Sequence, residues 1–218
     1  MGNALSVYQV LKSKPNIMTF DGKWLEAIGH PEMAGSWIIW GQSFNGKTSF
    51  AMMLARYLTN FDKVLYNSME EGASRSIQIA LQRAGMLGVA KRFNLLEGED
   101  VEDLIERLSH KKQPKIVFMD SLQYSSLNYD KYKLLKRKFP KVLWIWISHA
   151  EGRLPEGRLA NRIRYDSMVK IRIEGYRAFI NSRFKSDHKA NNYITIWEQG
   201  ARRYWGEDKG ENNKPILL

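Results

Sequence analysis

Nine residues, Trp40-Gly41-Gln42-Ser43-Phe44-Asn45-Gly46-Lys47-Thr48, constrain this chain more than any other stretch. They fit the phosphate-loop pattern of Gly, four free positions, then Gly-Lys-Thr. The pattern carries chemistry only between a strand and a helix, and the flanks provide both. Ser36-Trp37-Ile38-Ile39-Trp40 is an apolar run that reads as a buried strand, and residues 49–58 put Phe50, Met53, Leu54 and Tyr57 on one helical face. Gly41 and Gly46 accept backbone angles that side chains resist, so the loop N–H groups can turn inward onto phosphate oxygens. The helix N-terminus adds partial positive charge. In that geometry Gln42, Ser43, Phe44, Asn45 and Ser49 complete a cradle for ATP. Lys47 reaches the β- and γ-phosphates, and Thr48 holds Mg²⁺. The competing explanation is a chance match in a glycine turn, and the correct flanks weigh against it.

Composition narrows the class. The 218 residues suffice for one well-buried domain, with 44% hydrophobic residues and seven Trp to fill it. With no Cys there is neither a disulfide framework nor a thiolate metal site, which suits a reducing cytoplasm. No apolar run is long enough to span a bilayer, and no secretory signal is visible. The net charge of +11 favours a polyanionic partner, with nucleic acid the commonest, although basic surface can also serve solubility alone. Met1-Gly2-Asn3-Ala4-Leu5-Ser6 formally fits an N-myristoylation signal, but so short a match also arises at a start codon, and no membrane association is expected.

In chain order, residues 1–32 form an N-terminal extension in which Phe20-Asp21-Gly22-Lys23-Trp24 reads as a turn with aromatics packing on the core. After the phosphate loop, strands are expected at 63–67, 92–96, 115–120 and 141–148. Helices are expected at 73–84, 100–110 and 130–138. Gly85 is placed to end its helix. This alternation predicts an α/β fold with a mostly parallel sheet covered on both faces. Residues 167–174, 176–182 and 193–197 read as three antiparallel strands extending that sheet. Residues 33–197 would then be the core, and 198–218, polar and glycine-containing, a partly disordered tail.

Three strand ends carry further chemistry. Asp120 closes an apolar strand, where a carboxylate can hold the hydrated Mg²⁺ of a nucleotide. Glu70 ends the strand between Lys47 and Asp120, and strand C-termini gather at the ligand crevice of a parallel sheet. A glutamate there can orient and deprotonate the attacking water, while Glu71 reads as a favourable charge at a helix N-terminus. His149 ends the next strand, either sensing the γ-phosphate or simply satisfied at a strand end.

Gly41 to Thr48, Tyr66-Asn67-Ser68-Met69-Glu70-Glu71, Met119-Asp120-Ser121-Leu122-Gln123 and Ser148-His149 occur in an order and spacing that resembles the RecA-superfamily ATPases. The RadA branch and the DnaB-like helicases are the most similar. The resemblance covers about residues 33–184. It does not extend to the zinc finger and protease-like domain of RadA or the helical domain of DnaB, so a bare core is expected. The resemblance implies that Glu70 is the catalytic base, Asp120 the Walker B acid and His149 the polar residue that follows it. The family also ends its core on a Lys-x-Arg hairpin reaching a neighbour's ATP. In Asn181-Ser182-Arg183-Phe184-Lys185, Arg183 matches the arginine finger, whereas Asn181 replaces the lysine and Lys185 is a substitute candidate. A homo-oligomer, ring or filament, is implied.

Residues 151–166 fall where the family places a mobile DNA-binding loop. Arg153, Arg158, Arg162 and Arg164 can neutralise phosphates there, and the alternative is a solvated loop with a short basic helix. Lys131, Lys133, Lys136, Arg137 and Lys138 form a second basic surface or a helix's wet face. Arg202-Arg203-Tyr204-Trp205 suits base stacking on single strands or docking on a neighbouring core. The expected activity is a DNA-dependent ATPase. The alternatives are an ATP-switched assembly or loader protein and a small-molecule kinase, the last disfavoured by Glu70 and the late strands.

Overall fold

The computed structural model describes residues 4–185 and 192–207. The chain begins with α1 (Val7–Lys12) and α2 (Gly22–Ile28), then enters β1 (Gly35–Gly41). There follow α3 (Lys47–Leu58), β2 (Val64–Ser68), α4 (Arg75–Arg83), β3 (Phe93–Leu96), α5 (Val101–Ser109), β4 (Ile116–Asp120), α6 (Tyr129–Lys138) and β5 (Leu143–Ser148). A short hairpin, β6 (Ala150–Glu151) and β7 (Leu154–Pro155), leads into α7 (Gly157–Asp166). The last elements are β8 (Val169–Glu174), β9 (Arg177–Ser182), β10 (Tyr193–Thr195) and α8 (Glu198–Trp205).

Eight strands make one sheet in the order β10-β9-β8-β1-β5-β4-β2-β3. From β8 to β3 all pairings are parallel, and β9 and β10 are antiparallel additions. The apolar runs of β2, β4 and β5 are buried at every position, as strands covered on both faces must be. On one face Phe50, Leu54 and Leu58 of α3 and Ile77 of α4 pack with Trp24 and Ile28 of α2. On the other, Leu104 and Leu108 of α5, Tyr132 and Leu135 of α6, and Ala160 and Ile163 of α7 pack on Trp144, Trp146 and Ile38. Helix starts follow local chemistry: the side chains of Ser74, Asp100 and Asn128 each accept a backbone N–H three residues on.

Several expectations are corrected in detail. The first of the three late strands, β8, runs parallel to β1, because α7 returns the chain to the starting edge before it. Residues 20–24 begin helix α2 rather than a turn, while Phe20 and Trp24 do pack into the core. A 3-10 helix, Met86–Arg92, precedes β3. The stretch expected as a mobile loop is an ordered hairpin followed by the ten-residue α7, because Ala160 and Ile163 bury against the sheet. The start of the expected tail is helix α8, anchored by Ala201 and by Trp205, whose indole Nε1 donates to the Gly175 carbonyl at 3.1 Å. The lipidation motif's first residues, Met1 to Asn3, and residues 208–218 lie outside the described residues. Among the described residues no helix is long and apolar enough to cross a membrane.

One polar knot sits inside the second layer. Ser36, fully buried on β1, accepts from Trp146 Nε1 at 2.9 Å and from the Tyr132 hydroxyl at 3.2 Å. Ser36→Ala leaves that buried indole N–H without its partner. Urea unfolding is expected to show a loss of about 1–3 kcal/mol with an unchanged m-value.

Candidate active site

The C-terminal edges of β1, β2, β4 and β5 lie side by side, and the residues expected to carry chemistry are arranged along them. The register places Ser68 of β2 beside Asp120 of β4, and Trp40 of β1 beside Ser148 of β5. The loop after β1 follows from backbone sterics. A Cβ on Gly41 would come within 2.6 Å of the Ile173 carbonyl oxygen, so only glycine lets β1 lie this close to β8. Gly46 takes φ +94°, a left-handed angle, to start α3. Asn45 fixes the loop from outside, its side-chain oxygen accepting from Gly175 N–H at 2.8 Å. Phe44 at the tip is almost wholly exposed.

No side chain caps α3, so its first N–H groups face the crevice as donors. Lys47 opens the helix, and burial lowers its pKa against the opposing fields of Asp120, Glu70, Glu71 and Glu156. A cation drawn on by four carboxylates sits at their common focus. Asp120 is 7% exposed, and burial raises its carboxyl to about 6, opposed by a hydrogen bond from Tyr66 and by Lys47. The Tyr66 hydroxyl donates to Asp120 Oδ2, and burial, with that neighbouring charge, pushes the phenol well above its ordinary range.

Glu70 is held rather than free. Its Oε2 accepts from Ser121 Oγ at 3.2 Å and lies 3.0 Å from His149 Nε2. The other imidazole nitrogen, Nδ1, is 3.7 Å from Glu156, the N-cap residue of α7. Gln123 ties the same corner together. Its amide donates to Ser148 Oγ at 2.9 Å and to the Glu156 carbonyl at 3.2 Å, and its oxygen accepts from His149 N–H at 3.1 Å. Glu71 is engaged by the hydroxyls of Ser74 and Ser76 at the start of α4, matching a charge at a helix N-terminus.

A cleft of about 450 Å³ joins these groups, lined among others by Gly46, Lys47, Thr48, Glu70 and Asp120. A second cavity of about 630 Å³ continues from it past Ser49 and Arg83 to Tyr176, Ile196 and Trp197. The chain fits a nucleoside triphosphate with Mg²⁺: the glycine cradle admits no Cβ, and Thr48 and Asp120 offer the hydroxyl and carboxylate that such a metal uses beside phosphate oxygens. Ser68 Oγ, buried at the strand end beside Asp120, has no hydrogen-bond partner among the described residues.

Gln42, Ser43, Ser49, Thr48, Lys47, Glu70 and Asp120 are therefore brought to one crevice, with His149 at its rim. Arg183 is not. It follows β9, whose Ser182 pairs with Val169 at the start of β8, so it lies at the opposite end of the sheet from Gly41. Arg153 sits in the hairpin turn, where its carbonyl accepts from Trp40 Nε1 at 3.1 Å, and Arg158 and Arg162 lie exposed on α7. Arg162 stacks over Tyr129 and Arg164 over Tyr165. Sequence reasoning assigned no role to Tyr66, Ser121, Gln123, Glu156, Tyr176 or Trp197. Gln123 stood within a matched motif, whereas the last two come together only when the β8–β9 turn closes over the loop.

Two solved structures share this arrangement. The ATPase domain of a DnaB-like helicase superimposes with a TM-score of 0.53 at 14% identity, covering 78% of this chain and 83% of that one. The flagellar accessory protein FlaH from Methanocaldococcus jannaschii gives 0.59 at 17% identity, covering 83% and 93%. The fold is that of the RecA-like P-loop ATPases. No family model and no curated protein matches the sequence, so the likeness is one of fold. On a RecA-like sheet the crevice at β1, β2 and β4 is the expected ligand edge.

The buried Asp120 charge has a measurable cost in this RecA-like chain. Its pKa of about 6 in the folded state exceeds the 3.8 of an unperturbed aspartate, so the folded protein binds more protons between those values. Stability without nucleotide therefore falls as pH rises through that window. Asp120→Asn is expected to raise the unfolding free energy by about 2–3 kcal/mol at neutral pH, with the gain gone below the unfolded pKa. Equal stability of the two proteins at neutral pH would contradict it.

Proposed function

We propose that this protein is a Mg²⁺-dependent ATP hydrolase whose turnover is coupled to nucleic acid and to a neighbouring copy of itself. The observation that carries the reading is the convergence of Lys47, Asp120 and Glu70 on one cleft beneath the N-terminus of α3. Backbone N–H groups of residues 42–48 bind the β-phosphate, and Lys47 offsets the charge of the terminal group. Thr48 and Asp120 hold the metal, which when bound bridges phosphate oxygens and neutralises developing charge. Glu70 accepts the proton of the attacking water as its oxygen bonds to the γ-phosphorus and the bond to the β-phosphate oxygen breaks. Ser121 and His149 keep that carboxylate in place. The adjoining cavity at Tyr176 and Trp197 takes the base, an aromatic wall at the open end of the phosphate cradle.

His149 connects hydrolysis to the arginines. It lies between Glu70 and Glu156, and Glu156 begins α7, which carries Arg158, Arg162 and Arg164. A changed hydrogen bond at Glu70 is thereby felt where phosphates of a nucleic acid would bind. Arg183 serves a neighbour, since its own chain's cleft is at the other end of the sheet. A second reading, an ATP-switched loader with little motor work, draws on Asn181, an exposed neutral residue at the position matching the family's lysine.

Purified protein is expected to hydrolyse ATP with Mg²⁺, faster with single-stranded DNA and less so as salt rises. Glu70→Gln should still bind a fluorescent ATP analogue while turnover drops about 10²-fold or more. Normal turnover in that variant would place the base elsewhere, and a rate indifferent to DNA would point to the loader.

A further inference from the structure

Strands β8, β9 and β10 carry the sheet beyond α7. Their inward side chains, among them Ile171, Ala178, Ile180 and Ile194, belong to the core shared with α2 and α3. Strand alternation turns the others to the opposite side, the side that α5, α6 and α7 cover elsewhere. There the register lines up Trp40, Arg172, Phe179 and Tyr193 in a single row across four strands. Lys170 and Asn181 form the next row.

The row alternates rings with cations. The Arg172 guanidinium lies 4.8 Å from the Phe179 ring centroid, and the Phe179 and Tyr193 rings are 5.7 Å apart. Trp205 stands edge-on to Phe179 at 5.8 Å, and Arg177 is packed between Tyr193 and Trp205. Tyr193 and Trp205 each remain 37% exposed. Positive charge is crowded beside them. Burial and the fields of Arg164 and Arg183 lower the Lys170 pKa, and Arg164 Nε is buried with no hydrogen-bond partner among the described residues. Such crowding is relieved by an anion.

We infer that the outer face of β8, β9 and β10 is a platform for single-stranded nucleic acid, with bases stacking on Tyr193, Phe179 and Trp205 and phosphates meeting Arg172, Lys170 and Arg164. Every base has a π-face, so exposed rings among cations bind single strands without needing a sequence. A protein partner would favour an apolar centre depleted of charge, which this face does not offer. The inference rests on the nucleic-acid reading above. It moves part of the contact from the hairpin and the exposed side of α7 to the sheet.

The test is fluorescence anisotropy of a labelled oligothymidylate of about 16 nucleotides with the full chain. Alongside the wild type it uses Tyr193→Ala, Tyr193→Phe and the double variant Arg158→Ala/Arg162→Ala. Tyr193→Ala should weaken binding about fivefold or more, and Tyr193→Phe, which keeps the ring, should restore it. An oligonucleotide carrying 5-iododeoxyuridine should crosslink to Tyr193 or Trp205. Wild-type protein that binds no oligonucleotide overturns this inference together with the nucleic-acid reading. Binding that survives Tyr193→Ala but is lost in the arginine double variant overturns this inference alone. So does a wild-type multimer that Tyr193→Ala dissociates in sedimentation, which would assign the face to contacts between copies.

Discussion

Strand β1 is hydrogen-bonded on both sides, to β5 and to β8, and buried on both faces. That double ladder is what fixes the position of the phosphate loop. A short loop between a strand and a helix has little stiffness of its own. Its geometry is defined because Gly41 is pressed against the Ile173 carbonyl and Asn45 is bonded to the turn after β8. Adding the late strands therefore does more than widen the sheet. It braces the cradle from the side opposite to the acidic residues.

The acidic side is built differently, from charges that the fold places at a cost. Asp120 and Lys47 are both desolvated, each bearing part of the other's penalty. A buried pair of this kind is a poor source of stability and a good source of precise positioning. Tyr66 adds a donor that occupies one Asp120 oxygen, and its own ring is stacked on Phe118 beneath the site. The aspartate is thus oriented from the core upward, while Glu70 is oriented from the rim by Ser121 and His149. Two carboxylates at one crevice acquire separate environments, the usual condition for separate roles.

Helix α7 and its hairpin join the site to the surface. Trp40, the last large side chain before the loop, donates to the carbonyl of Arg153, and Gln123 joins the end of β5 to the start of α7. The basic segment is an ordered element packed through Ala160 and Ile163. A packed element moves as a unit, so a change at His149 is carried along α7 rather than dissipated in a flexible loop.

Local signals in the chain were enough to specify the parallel sheet, the phosphate loop and the strand-end acids: continuous apolar runs, glycines at fixed offsets, and an acid closing a buried strand. Lys47, Thr48, Glu70 and Asp120 were legible because each sits at a set distance from such a run. The partners that arrive from far along the chain became visible only once it was folded. Tyr176 and Trp197 meet the loop because β9 and β10 fold back antiparallel. Residues 151–166 looked mobile from their glycines, yet two small apolar side chains bury the helix they belong to. The direction of β8 was set by where α7 delivers the chain, and the start of the supposed tail became a helix because Trp205 finds a carbonyl at Gly175. Periodicity reports which face of an element is apolar. It does not report which other element will cover it, because that depends on contacts between residues distant in sequence.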